Sequence, residues 1–173
     1  MKRVFPEFFV RNLEHVSCPC CGEQLSVIGS RKRKYINSEG TKIILSIRRL
    51  RCKACKSIHH ELPDILVPYK RYCSESIESV LNPTGSLYVA ADDSTIRRWR
   101  EWFREQTDHF AGCLESIAVR LGRKPAEKLT RSSRSGFQRV MDLVGDAPGW
   151  LARLVRPVAN TNNWIHTRSA FLS

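Results

Sequence analysis

Two Cys-x-x-Cys pairs, Cys18–Cys21 and Cys52–Cys55, stand about thirty residues apart with basic, strand-like sequence between them. Four thiolates at that spacing close a tetrahedral zinc site without any other ligand type. Such a site fixes the local architecture: each pair must lie on a tight knuckle, and the intervening chain must return on itself to bring the knuckles together. That is a zinc ribbon, a β-hairpin stapled by Zn2+ because its own core is too small to hold it.

Other uses of the cysteines fit less well. A secreted disulfide framework requires a leader, and Met1-Lys2-Arg3-Val4-Phe5-Pro6-Glu7 breaks its apolar run with Pro and Glu. Seven cysteines is an odd number, and Cys20, Cys73 and Cys113 stand outside the pairs, which points to a reducing, cytoplasmic compartment. A thioredoxin-like motif needs one pair in a βαβ setting, not two matched pairs. Cys20 lies too close to Cys18 and Cys21 for an ordinary knuckle and reads as a bystander thiol.

Gln24–Tyr35 and Thr41–Arg51 read as the two strands, joined by Asn37-Ser38-Glu39-Gly40, whose residues tolerate positive φ. Ile43, Leu45 and Ile47 alternate with Ile44, Ser46 and Arg48, the period of a half-buried strand. The apolar residues of Met1–Ser17 (Val4, Phe5, Phe8, Phe9, Val10, Leu13) are expected to pack on the ribbon. His59 and His60 are neighbours and cannot form the one-faced histidine pair of a helical zinc hydrolase. One is expected to pack on the ribbon and the other to face solvent, with a substitute ligand role for either left open.

Charge identifies the partner class. The chain of 173 residues carries a formal charge of +12 with 42% hydrophobic residues, so it is a folded protein that favours a polyanion. No stretch approaches the ~18 apolar residues of a membrane span. Between Arg31 and Lys56 there are ten Lys or Arg against one acid, Glu39. Lys32, Arg33 and Lys34 are the candidates there for nucleic-acid phosphate contacts, which position a protein without reading sequence.

Helical patterns follow. Ser74–Leu81 has a Ser cap, an acidic first turn and a stop at Asn82-Pro83-Thr84-Gly85. Leu87–Ala91 is expected as a short second helix and Asp92–Arg104 as a third, opened by acidic caps. On this third helix Ile96, Trp99 and Phe103 share one face with Trp102 at its edge, while Ser94, Arg97, Arg98, Glu101 and Arg104 lie opposite. An arginine-bearing face on the helix after a turn suits a recognition helix, since Arg makes bidentate contacts to guanine edges. The pair Asp92-Asp93 could suggest catalytic carboxylates, but helix capping is the simpler reading. Thr107–Leu121, Phe137–Val144 and Ala147–Val158 read as further helices, with a basic connector over 123–136.

The order knuckle, basic strand, knuckle, Leu62-Pro63-Asp64, Pro68-Tyr69, Ser94-Thr95-Ile96-Arg97-Arg98-Trp99 resembles the zinc-ribbon plus helix-turn-helix front ends of bacterial transposases. It is more similar still to a family of short bacterial proteins with this arrangement and no catalytic domain. The resemblance covers residues 16–104, and the ending from Asn163 to Leu172 is also similar. The interval from Val89-Ala90 to Ser94 is shorter than such motifs usually have between their helices. The resemblance implies DNA binding in the service of a mobile element, with a separately encoded transposase as partner.

The expected protein is therefore α+β: a four-cysteine ribbon with its N-terminal extension (1–68), a helix-turn-helix (69–106) and a C-terminal helical region (107–173). The metal ligands are Cys18, Cys21, Cys52 and Cys55. No enzyme constellation is present, because three separated carboxylates on a magnesium-binding RNase H-like domain would not fit beside these elements, and no Gly-rich phosphate loop or nucleophile elbow appears. Two other classes are compatible with the sequence. One is a protein-interaction adaptor built on the ribbon. The other is an RNA-binding ribbon that stacks bases on Tyr35, Tyr69 and Tyr72.

Overall fold

The computed structural model describes residues 7–11, 16–83, 88–122 and 135–167. Strands β1 (Glu7–Phe9), β2 (Leu25–Ile36), β3 (Lys42–Cys52) and β4 (Ile58–His60) are followed by helices α1 (Ser74–Leu81), α2 (Asp93–Arg120), α3 (Gly136–Val144) and α4 (Trp150–Asn160), then a short 3-10 helix, Trp164–Thr167. The protein is α+β, as the sequence indicates. Among the described residues no helix is long and apolar enough to cross a membrane.

Strand β3 is the centre of the sheet. It pairs antiparallel with β2 along one edge, and on the other edge with β1 (parallel, Phe8 opposite Leu45) and β4 (antiparallel, Leu50 opposite His59). The β2–β3 turn forms as the sequence predicts: Gly40 has φ +81, and the Asn37 side-chain oxygen accepts from the Thr41 N–H at 2.7 Å. A methyl group on Gly40 would meet the Ala90 Cβ at 2.9 Å, so the hairpin tip is pressed against the segment before α2. Val10 packs on the ribbon, whereas Phe8 and Phe9 are exposed. Val4, Phe5 and Leu13 lie outside the described residues.

The ribbon core is small. Among the described residues Leu45, Ile47 and Leu66 are its buried members, with Ile43, Tyr35, Leu62 and Val10 against them. The helical core is far larger and runs from Val67 and Ile77 through Trp99, Trp102, Phe103, Phe110 and Trp150 to Trp164. Aromatic rings fill its middle: Phe103–Trp150 and Phe110–Trp164 centroids are both 5.5 Å apart. The Trp102 indole N–H finds the Thr167 carbonyl at 3.1 Å, so this large ring is buried without an orphaned donor.

Two expectations need correction. Asp92–Arg104 and Thr107–Leu121 are one helix, α2, over 28 residues, and the boundary at 106/107 falls inside it. Glu105-Gln106 are good helix formers, and the apolar face continues across them through Phe103, Thr107 and Phe110. Thr107, buried on that face, donates its hydroxyl to the Phe103 carbonyl at 2.6 Å, which lets a polar residue sit in the core. The helix ends where predicted, with Gly122 at φ +73. The second correction concerns Leu87–Ala91. Residues 88–91 are not helical, and Ala91 N–H turns back to Val89 C=O at 2.7 Å; Leu87 is outside the described residues. Helices α3 and α4 pack on α1 and α2 in one core, so the helices form one body. Of the basic connector, residues 123–134 lie outside the described residues.

Glu78 of α1 ties that body together. Its carboxylate accepts from the N–H groups of Gly149 (2.7 Å) and Leu151 (2.9 Å), capping the N-terminus of α4 from another helix. A carboxylate on two free helix N–H groups is a charge-assisted cap. Glu78→Ala is expected to destabilise the protein by ~1–2 kcal/mol, the range for losing a good cap. Chemical denaturation would measure this, and an unchanged midpoint would show that the cap contributes nothing.

Candidate metal centre and basic surface

Both knuckles are built alike. Cys18 N–H bonds Glu23 C=O at 2.8 Å and Cys52 N–H bonds Ser57 C=O at 3.0 Å, closing a tight turn around each pair. The residue after each second cysteine has positive φ, +77 at Gly22 and +61 at Lys56. Glycine takes this at no steric cost, and Lys56 is anchored there by its ammonium on the Lys53 carbonyl at 2.6 Å. The β2–β3 register places Leu25 opposite Cys52, and Lys53 N–H reaches Gln24 C=O, so pairing of the long strands brings the knuckles together.

The four predicted ligands, Cys18, Cys21, Cys52 and Cys55, have their sulfurs within 4.8 Å of one another. Cys18–Cys55 and Cys21–Cys52 are 3.6 and 3.5 Å apart. A tetrahedron of sulfurs at a Zn–S distance of ~2.3 Å has edges of ~3.8 Å. The donor set and its dimensions fit a metal ion such as zinc. Cys18 and Cys52 are buried while Cys21 and Cys55 are exposed, so one edge of the tetrahedron faces solvent.

Without metal the thiols compete for protons. The Ser57 hydroxyl and N–H hold Cys55 down to about 6. The Glu23 N–H favours the Cys21 thiolate, yet the bond with Cys52, burial and the other thiols push Cys21 up to about 11. Burial pushes Cys18 up. One divalent cation removes this conflict by letting all four ionise together.

His59 is a neighbour that spacing alone did not assign. Strand β4 sets it opposite Leu50, and its Nε2 lies 3.3 Å from the Cys18 sulfur, while His60 is exposed. One histidine toward the ribbon and one toward solvent is the expected arrangement. A signal existed in the sequence: His59 follows Cys55 by four residues, enough for one knuckle turn and a return strand.

The basic residues are less uniform than the sequence suggests. Successive strand residues point to opposite faces. Lys32 and Lys34, opposite Ser46 and Ile44, therefore share one face, and Arg33, opposite Leu45, lies on the other. Arg33 is half-buried with its guanidinium on the Lys70 carbonyl at 2.7 Å, so it braces the ribbon against the following loop. Lys32 pairs with Glu7 at 2.9 Å in the open, a weak contact. Arg48 makes a fork-like pair with Glu61 at 2.5 and 2.6 Å, so its charge is matched by a carboxylate from beyond the second knuckle. Lys34 is exposed.

On α2, Ser94, Arg97, Arg98 and Arg104 are all exposed, opposite the buried Trp99 and Phe103. Asp92 is the N-cap: hydrogen bonds from the Ser94 hydroxyl and the Thr95 N–H and hydroxyl hold its carboxyl down to about 2. Arg98 folds back on this cap, bonding the Ser94 carbonyl at 3.1 Å and its hydroxyl at 2.8 Å. Arg97 is 4.0 Å from Glu101, and Arg104 points to solvent beside Glu105.

A groove of about 550 Å³ runs beside Arg98, with Tyr69, Lys70 and Arg71 on its other wall. Burial pushes Lys70 down to about 8, and the Trp102 ring 4.1 Å away opposes this by favouring the cation. Of the three tyrosines considered for base stacking, Tyr72 packs edge-on against Trp99 with centroids 4.9 Å apart, and Tyr35 lies against the ribbon core. Tyr69 is the exposed one.

A search of curated proteins and of solved structures gives no match to the chain. One family model matches residues 18–99, from the first metal-site cysteine to Trp99 of α2. Over that span, which takes in both knuckles, the ribbon, α1 and the start of α2, the chain is similar to the family described as Domain of unknown function (DUF6431).

Proposed function

We propose that this is a non-catalytic DNA-binding protein whose ribbon is held by zinc and whose α2 meets the duplex with its N-terminal turns. The observation that carries the reading is the division of α2. One face is committed to the core, and the other presents Ser94, Arg97, Arg98 and Arg104 to solvent. Helix-turn-helix proteins read bases from the N-terminal residues of such a helix, with arginine forks on guanine. Arg98 is already oriented by Ser94, which lowers the ordering cost of a base contact. On this reading α1 and α2 form a reduced helix-turn-helix whose middle is an extended turn. Lys32 and Lys34 contact phosphates.

The biological setting follows from the resemblance in sequence. The protein acts in the cytoplasm as an accessory factor or regulator of a mobile element, alongside a separately encoded transposase. The packing of Tyr35 against the ribbon core and of Tyr72 against Trp99 counts against the RNA-stacking alternative.

Binding of zinc-loaded protein to a preferred duplex and to a scrambled one, at several salt concentrations, separates the roles. Arg98→Ala is expected to cost ~1–3 kcal/mol on the preferred duplex and to relax preference at one position. Lys32→Ala with Lys34→Ala is expected to weaken both duplexes alike and to flatten the salt slope by about two units. Equal, sequence-independent losses from both variants would remove the case for a recognition helix.

A further inference from the structure

The four-cysteine centre does not use all the soft donors at the first knuckle. Cys18, Cys20 and His59 form a second group whose ligand atoms also lie within 4.8 Å of one another, with Cys18 common to both groups. We propose that Cys18, Cys20 and His59 hold a second thiophilic d10 cation, zinc or cadmium, with the Cys18 thiolate bridging the two ions. This rests on the four-cysteine centre described above.

Geometry supports it. The Cys18 sulfur and the His59 Nε2 are 3.3 Å apart. Two ligands at ~2.3 Å (S) and ~2.0–2.1 Å (N) in a tetrahedral shell lie ~3.6 Å apart, so a small outward movement of the ring admits an ion. Cys20 follows Cys18 by two residues on the same turn, which makes a chelating Cys-x-Cys pair. Its side chain is exposed and takes no part in either core. His59 is fixed by the β3–β4 pairing, so the donor from the other knuckle side is already in position.

Charge points the same way. Four thiolates around one divalent ion carry a net charge of −2. A second divalent ion, arriving with the Cys20 thiolate and a neutral imidazole, changes that to −1. The bridging sulfur keeps its bond to the first ion and donates a further lone pair to the second. Three protein ligands leave one position open to water, so this ion exchanges more readily than the closed one. The site would load and release metal while the ribbon stays folded. A plainer role for His59, donating its ring N–H to the Cys18 thiolate, predicts no second ion.

Native mass spectrometry of the full chain, titrated with Cd(II), tests this. Two ions per chain are expected in the natural protein and one in Cys20→Ser and in His59→Gln, with circular dichroism confirming that each variant keeps its sheet. His59→Cys is expected to restore the second ion. One ion in all forms would overturn the second site and leave the four-cysteine centre intact. Two ions in all forms would mean adventitious binding elsewhere and would also overturn it. No ion in the natural protein would sink the four-cysteine centre, and this site with it.

Discussion

Replacing Cys52 and Cys55 together by serine is expected to unfold the sheet while α1–α4 remain folded. Among the described residues the ribbon core has three buried side chains, Leu45, Ile47 and Leu66, whereas the helical core has its own continuous aromatic centre. Burial of a few aliphatic side chains at ~1.5–3 kcal/mol each does not offset the backbone entropy of two long strands, at ~1–2 kcal/mol per residue. Structural zinc contributes ~10–16 kcal/mol in comparable four-ligand sites, and that energy is folding energy. Amide hydrogen exchange would resolve the two bodies. Protection in β2 and β3 should collapse in the variant or on chelation, and protection in the middle of α2 should persist. Undiminished protection of β3 after chelation would mean that the hairpin stands without metal.

The second large effect lies in the helical core. Phe110→Ala is expected to destabilise the protein by ~3–5 kcal/mol, the usual range for truncating a fully buried phenylalanine. Phe110 is 0% exposed and packs among the rings of Trp164, stacked at 5.5 Å, Trp102 at 5.8 Å and Phe103 at 5.9 Å. Those rings belong to different turns and to the 3-10 helix, so they cannot all close on the vacated space. Against a typical total stability of ~5–15 kcal/mol, such a loss leaves the helical body marginal. Thermal and denaturant unfolding would measure it. A change under ~1 kcal/mol would show that the cluster relaxes freely.

The parts of this fold that local chemistry specifies were the legible ones. Cysteine spacing, the Asn37–Gly40 turn and the alternation of Ile43, Leu45 and Ile47 located the hairpin to within a residue or so. The Ser74–Leu81 pattern, bounded by Pro83, located α1 with its observed ends. The unbroken length of α2 was missed because polar Glu105-Gln106 part its two apolar runs, and the next residue on the core face, Thr107, is itself polar. That residue is satisfied by its own helix backbone, a contact that residue type does not reveal. His59 and His60 point to opposite sides of a strand, as their adjacency suggests, but the pairing of that strand with β3 is not written in its own three residues.

Among the site residues, the thiolates were legible because metal coordination demands both residue type and spacing. Arg33 was grouped with Lys32 and Lys34 because charge density along a chain takes no account of strand faces. Only the register with Leu45 and the bond to Lys70 separate it from them. The approach of His59 to Cys18 depends on how β4 folds back beside β3, a tertiary arrangement. The Arg98–Ser94 contact, by contrast, follows from their i, i+4 spacing once the helix start is known.

One titration bears on DNA binding most directly: the affinity of zinc-loaded full chain for duplex DNA at 50 and 200 mM salt, with and without a chelator. The two phosphate contacts of Lys32 and Lys34 give a slope of about −1.8 in log affinity against log salt, so affinity should fall by about tenfold between those concentrations. Chelation should weaken binding further as Lys32 and Lys34 lose their places on the folded sheet. Affinity that is absent at low salt, or indifferent to salt and to zinc, would contradict a metal-held ribbon acting with α2 on DNA.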